Sequence, residues 1–264
     1  LPDDKKPDTG PAPRNGMRTG FSRSSLVGST SSRKLNDEYN LKFNLNYSAD
    51  RRTAERYSRT EYYDTGITPF EEDEKGLTSA NNLSARIALQ ANTPKIYLKI
   101  ELNADIRWHD AESSVMGTFS RTQKSKTPSL SISDNIQLVS RKGNRTFTLS
   151  SLNTFINKPH KLYVPNGAVP IRQHLRASAF GSTTEASFGW STGQWKLRTR
   201  AGVESCFRQL ESELSGLALG GYPTQNKSGN YSITPYLQSS LVYEYSNFRA
   251  SLSAPVRLNI QAYN

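Results

Sequence analysis

The chain holds one cysteine, Cys206, among 264 residues. A lone thiol makes no intrachain disulfide and no multi-cysteine metal site, and with no histidine near it in sequence Cys206 reads as an inert thiol. Nowhere do apolar residues run on for the ~18 that a membrane-crossing helix needs. Only 34% of the residues are hydrophobic, whereas ordinary globular domains carry roughly 45–50% apolar residues with glycine counted in. Material for a thick aliphatic core is therefore scarce. There are three histidines, and His160 and His174 lack the H-x-x-x-H spacing of a zinc site. His109-Asp110 reads as a strand end entering a polar segment. No catalytic Ser/His/Asp set stands out in the sequence. Gly220-Gly221-Tyr222-Pro223 lacks the strand–G-x-G-x-x-G–helix context of a phosphate loop and reads as a turn. The acidic run Glu71-Glu72-Asp73-Glu74 lacks the D-x-D-x-D-G spacing of a calcium loop and reads as a solvated charge run. These absences point away from an enzyme, and no cofactor and no metal is expected. The net charge is +11, yet no run of five Lys or Arg occurs, and no nucleic-acid recognition motif accompanies it. Nucleic acid is not an expected partner.

What the chain does have is alternation. From Ile96 to His109 every second residue is apolar: Ile96, Leu98, Ile100, Leu102, Ala104, Ile106 and Trp108. Between them stand Tyr97, Lys99, Glu101, Asn103, Asp105, Arg107 and His109. A strand sends successive side chains to opposite faces, so this is one apolar face and one wet face; a helix would scatter the same residues around its axis. The run is about twice the usual soluble strand of ~5–6 residues, and close to the ~10 tilted residues that cross an outer membrane. We expect Ile96, Leu98, Ile100, Leu102, Ile106 and Trp108 to face lipid.

The same pattern returns along the chain. Residues 1–16 are rich in Pro, Asp and Lys and read as a loop or ragged terminus; 17–264 read as one barrel segment. A weakly alternating strand is expected near 17–27, and a clean one from Tyr39 to Ala49. The polar stretch 51–82 reads as a strand extension and a long loop. Leu83 to Ala91 is another apolar face, and Asn92-Thr93-Pro94 closes a tight hairpin into the Ile96 strand. A loop around Gly117 and Lys124 precedes Leu130–Leu138; a turn at Lys142 leads to a return over 146–157; 158–171 is a proline-rich loop. Strands follow at 173–190 and from Trp195 to Arg208, then a glycine-rich loop from Glu211 to Asn230. A last hairpin turns at Ser246-Asn247. Short turns near Asp37, Thr93, Lys142, Thr192 and Ser246 alternate with long connections, as in outer-membrane barrels. The expected fold is all-β: an antiparallel up-and-down transmembrane β-barrel, or a segment of one, of about ten long strands.

The 13 Tyr, 10 Phe and 3 Trp fit this reading. Trp108, Trp190, Trp195, Tyr47 and Tyr245 fall near expected strand ends, where aromatic rings favour the membrane–water boundary. Tyr62, Tyr63, Tyr163 and Tyr222 fall in expected loops and are candidates for substrate contact, because a ring offers large area at low entropic cost. Lys99, Arg107, Lys196, Arg198, Arg200, Arg249 and Arg257 are expected on the lumen face, giving a positive bias that would favour anionic solutes.

With the strands in place, the hairpin from Tyr236 to Ile260, the strand from Leu35 to Ser48 and the segment from Gly193 to Val203 carry a likeness. The chain resembles the barrel portion of a TonB-dependent outer-membrane receptor, of the Bacteroidota type that bears a carboxypeptidase-regulatory-like domain. That resemblance implies a Gram-negative outer-membrane location and energised import of a large nutrient. It also implies a plug domain and a TonB-type coupling protein as partners beside outer-membrane lipid. Such barrels have roughly 22 strands, so about ten strands reads as a segment. The opening Leu1-Pro2-Asp3-Asp4 has no apolar signal region, as expected of a mature form or an excised piece. Two rival readings are a passive porin-like barrel and a soluble secreted β-protein that binds carbohydrate. The second would have to hide its apolar faces against another sheet.

Overall fold

A computed structural model of the chain describes residues 18–60, 70–117, 120–165, 169–216 and 224–264. The expected loop at 1–16 and the expected turn at Gly220–Pro223 lie outside them. The described residues form thirteen strands and one antiparallel sheet. They are β1 (Arg18–Lys34), β2 (Tyr39–Thr60), β3 (Phe70–Asn92), β4 (Ile96–Gly117), β5 (Arg121–Lys126), β6 (Ser129–Lys142), β7 (Arg145–Asn157), β8 (His160–Val164), β9 (Ile171–Thr192), β10 (Trp195–Ser215), β11 (Gln225–Tyr245), β12 (Phe248–Arg257) and β13 (Ile260–Tyr263).

Three pairs of these strands are single tracks with a gap. β4 pairs with β6 as Arg107↔Ser129 and with β5 as Asp110↔Lys126, so the register runs through unbroken. β9 likewise carries β7 and β8, and β11 carries β12 and β13. Pro128 and Pro159 occupy two of the gaps and face each other across the sheet. Proline lacks the N–H a ladder needs, so the ladder pauses there. The outer side holds: Thr127 N donates to His109 O and Lys158 N to Ala177 O. The thirteen strands are thus ten tracks in a meander, in agreement with the expected count.

The expected turns fall where alternation placed them. Asn36 Oδ1 accepts from the backbone of Glu38 and Tyr39 in the first turn. Thr93 Oγ1 accepts from Ile96 N in the second. The two-residue turns 143–144, 193–194 and 246–247 begin with Gly143, Gly193 and Ser246, each at positive φ, the first-position conformation of a type II′ hairpin. At the other end of the sheet, much of what reads as loop is strand. β2 runs on to Thr60, and β3 begins at Phe70 and carries the acidic run. β5 and β8 occupy expected loops, and β10 and β11 extend to Ser215 and from Gln225. These extensions meet water on both faces, so nothing imposes a period of two on their side chains. Neighbour pairing alone makes them strands.

One layer is all there is. The backbone of every strand packs only against its neighbours in the sheet. Among the described residues, Ala91 and Val115 are the buried apolar side chains, and no large side chain is fully buried. The accessible surface is 19695 Å², where a compact folded chain of this size exposes about 11,500 Å². A second sheet covering the apolar face, which the soluble reading requires, is absent from the described residues. Among the described residues the sheet also has two edges: β1 pairs only with β2, and β12 and β13 only with β11.

Register aligns apolar positions in rows across neighbouring strands. One row reads Leu41–Leu89–Ile100–Ile136 and the next Phe43–Ile87–Leu102. Another reads Phe155–Phe180–Phe207–Tyr231. The opposite face is the crowded one. Glu101 leaves 12% of its side chain exposed, while Leu102 beside it is 45% exposed. Side chains crowd on the concave face of a curved sheet and splay on the convex one, so the polar face is the concave one.

Candidate functional site

The concave polar face gathers its charged residues in two places. The first lies on β3 and β4. Arg86 Nη2 donates to Glu101 Oε2 at 2.7 Å, Lys99 Nζ lies 3.2 Å from the same oxygen, and Asn103 adds a longer contact. The second spans β9 to β12 and is built around a glycine. A Cβ at Gly202 would stand 2.5 Å from the Tyr236 ring and 2.7 Å from Thr184 O. With hydrogen there instead, the Tyr236 ring lies across β10, and its hydroxyl donates to Glu185 Oε2 on β9 at 2.7 Å. Arg257 reaches across β11 in the same way and meets Glu204 Oε2 at 2.6 Å. Arg200 Nε donates to Gln238 Oε1, whose amide donates to Ser253 Oγ. These side chains bridge alternate tracks and brace the wall on its inner curve.

Register puts all seven expected lumen cations on this one face. Two of them, Lys99 and Arg107, are on β4; Lys196, Arg198, Arg200, Arg249 and Arg257 are on β10 and β12. They are not a bare positive surface. Lys99 pairs with Glu101, Lys196 and Arg249 with Glu244, Arg200 with Glu185 and Arg257 with Glu204. Arg107 and Arg198 form no ion pair among the described residues. Glu101 stands two residues from Lys99 on the same strand, but Glu185, Glu204 and Glu244 sit on other strands than their partners, and register brings those together.

Ile96, Leu98, Ile100, Leu102, Ile106 and Trp108 share the opposite, apolar face with half or more of the sheet's aromatics. Trp195 lies against Tyr243 at the turn end, with centroids 4.7 Å apart and the rings tilted by 52°, and Phe207 contacts Phe180 and Tyr231 at the other. Tyr47, Trp190 and Tyr245 are on this face too. Of the four candidate loop tyrosines, Tyr62, Tyr63 and Tyr222 lie outside the described residues. Tyr163 stands in β8, on the apolar-face side, with Arg172 5.9 Å over its ring. His160 is on the polar face, hydrogen bonded to Ser125 at 3.0 Å. No three metal-binding side chains converge among the described residues.

Two features escaped the sequence reading. Asp134 has the parity of Ile132 and Ile136 and so falls on the apolar face, opposite Leu102. There Asn153 Nδ2 donates to Asp134 Oδ1 at 2.9 Å, Ser182 Oγ donates to Asn153, and Ser151 bonds Thr184 at 2.9 Å. Parity counting from the turn at 143–144 finds Asp134; its partners need the register. The second feature is a hollow of about 650 Å³ on the polar face, lined by Ile156, Ala177, Ala179 and Leu210 and rimmed by Lys158 and Arg208.

No family model matches the chain, and no curated protein matches it. Among solved structures the chain is similar to the ferric yersiniabactin uptake receptor FyuA from Yersinia pestis. That match has a TM-score of 0.41 at 7% identity and covers 96% of this chain and 52% of that one. It is also similar to the ferric citrate transporter FecA, with a TM-score of 0.37 at 8% identity over 92% and 53% of the two chains. The outer membrane protease OmpT from Escherichia coli matches with a TM-score of 0.28 at 10% identity, over 90% of this chain and 99% of that one. The chain spans about half the length of the two receptors. With every TM-score below 0.5, the fold stands on the strand order and register above.

Proposed function

We propose that the chain is a stretch of the wall of an outer-membrane β-barrel of TonB-dependent receptor kind, working in nutrient uptake rather than in catalysis. The observation that carries this is the apolar band on one face of a one-layer sheet, bounded by aromatics along single strands. Phe180 to Trp190, Phe207 to Trp195 and Tyr231 to Tyr243 mark its two limits. At ~3.3 Å per residue and a tilt of about 40°, those separations span about 25–30 Å, the height of a barrel's apolar band. A soluble chain has no reason to leave such a band bare.

The two unpartnered edges favour a segment over a complete pore. In hydrocarbon an open edge strands its N–H and C=O groups, each at a cost of several kcal/mol, so further strands must pair with β1 and β12. On this reading the polar face lines the lumen, where five of the seven basic side chains are paired with four carboxylates. A plug and a TonB-type coupling protein are the partners the family likeness supplies.

The three tryptophans test the membrane placement. The chain is reconstituted into vesicles of brominated phospholipid. Trp108, Trp190 and Trp195 fluorescence is expected to be quenched more by bromine near the headgroup than by bromine near the bilayer centre. Emission unchanged by either lipid would end the membrane reading.

A further inference from the structure

The hollow on the polar face has a structural cause. Along this face β9 presents Ala177, Ala179 and Gly181, a lane of small residues between the larger side chains of β7 and β10. Ile156 stands on one side and Leu210 on the other, so a depression opens whose lining is almost wholly carbon. That is unusual on a face otherwise made of charged and hydroxyl side chains. Its volume of about 650 Å³ falls in the ~300–1,000 Å³ range of small-molecule sites, which combine apolar walls with a few polar groups. It lies one residue beyond the aromatic row Phe155–Phe180–Phe207–Tyr231, toward the ends of the long connections.

The cations at its rim are the second observation. Five of the seven cations named above on this face are matched by a carboxylate. Lys158 and Arg208 are not: neither forms an ion pair among the described residues, and both border the hollow. Asn230 and Tyr263 complete the rim and add hydrogen-bonding groups on the β11 and β13 side. An apolar body and an anionic head would satisfy all of these at once. The guanidinium offers a bidentate donor pair to a carboxylate or sulfonate, and the ammonium a second positive charge.

We propose that this hollow is a binding site for an amphipathic organic anion, with an aromatic or alicyclic body seated on Ala177, Ala179 and Leu210 and its acid group between Lys158 and Arg208. Binding stands on the hollow alone; the role of the ligand as an imported solute rests on the uptake reading above.

The test uses 4-benzoylbenzoate, a photoreactive aromatic acid, with uncharged benzophenone as its control. The full chain is irradiated with each probe, in lipid nanodiscs and in amphipol, and labelled peptides are read by mass spectrometry. Saturable labelling by the acid is expected on peptides carrying residues 156–158, 177–179 and 208–210. It should fall at least fivefold in Lys158→Gln/Arg208→Gln, while benzophenone labelling is unchanged. Ala179→Trp, which fills the floor and leaves the charges, should remove labelling by the acid as well. Labelling that never saturates, or that the charge variant leaves intact, overturns the site. A chain that takes up the acid saturably in amphipol yet never enters nanodiscs keeps the site and loses the uptake reading. A chain that enters nanodiscs without saturable labelling does the reverse.

Discussion

The apolar face has two unlike stretches at the same height. Across β2, β3 and β4 it is unbroken: Phe43, Ile87 and Leu102 form one row, Leu41, Leu89 and Ile100 the next. Across β6, β7 and β9 the continuation of the Leu102 row is Asp134, Asn153 and Ser182. The first stretch follows the expected rule of apolar outside. The second breaks it at its centre and remains consistent because the polar groups bond one another across three strands. A polar group away from water is costly when it lacks a partner, and far less so inside a complete network. What the pattern requires is therefore satisfied groups, and apolar residues are only the commonest way to supply them.

The largest effect should come from forcing a charge into the clean stretch. Leu102→Arg is expected to cost about 2–4 kcal/mol in lipid, as cations at the midplane of a barrel's outer face do. Asn135→Arg, on the other face and opposite Glu101, should be nearly neutral. Equal losses for the two, measured by denaturant titration in vesicles, would break the distinction between the faces.

The polar stretch is sharpened by removing its centre. Asn153→Leu takes the donor from Asp134 and the acceptor from Ser182, and should destabilise by about 1–3 kcal/mol, the cost of leaving such groups unpaired. Adding Asp134→Leu should recover part of that loss, because it removes the unpaired carboxylate and leaves only the Ser182 hydroxyl without its acceptor. Additive losses in the double variant would show that the cluster is not acting as a network.

Beyond the band the sheet carries exposed cross-strand pairs at both sides, Glu112–Lys124 on β4 and β5 and Glu211–Lys227 on β10 and β11. The hydrogen bond and charge of Lys227 hold the Glu211 carboxyl below its ordinary value of 4.5. A carboxyl depressed in the folded state adds stability above its unfolded pKa and loses it as pH falls through the folded value. Between pH 6 and pH 3 the thermal midpoint of the natural chain should therefore fall slightly more than that of Glu211→Gln. Parallel falls would show that the pair contributes nothing to the extension.

The sequence by itself determined the class of the fold, the number of tracks and the positions of the tight turns. Alternation over Ile96–Trp108 and the residues at the turns are local, and a strand needs no more than local information to divide its side chains between two faces. The strand extensions were not legible, because residues 51–60, 121–126 and 211–215 meet water on both sides and bear no period. Nor were the pairings that decide the character of the polar face. Lys196 stands 48 residues from Glu244 and Arg257 53 from Glu204, and only the registers of β10 with β11 and β11 with β12 bring them within reach. The hollow is of the same kind: small residues on β9 mean nothing until Ile156 and Leu210 are set on either side of them. A strand's faces follow from its own sequence; which side chains stand next to one another across strands is fixed by hydrogen-bond register, and that belongs to the sheet.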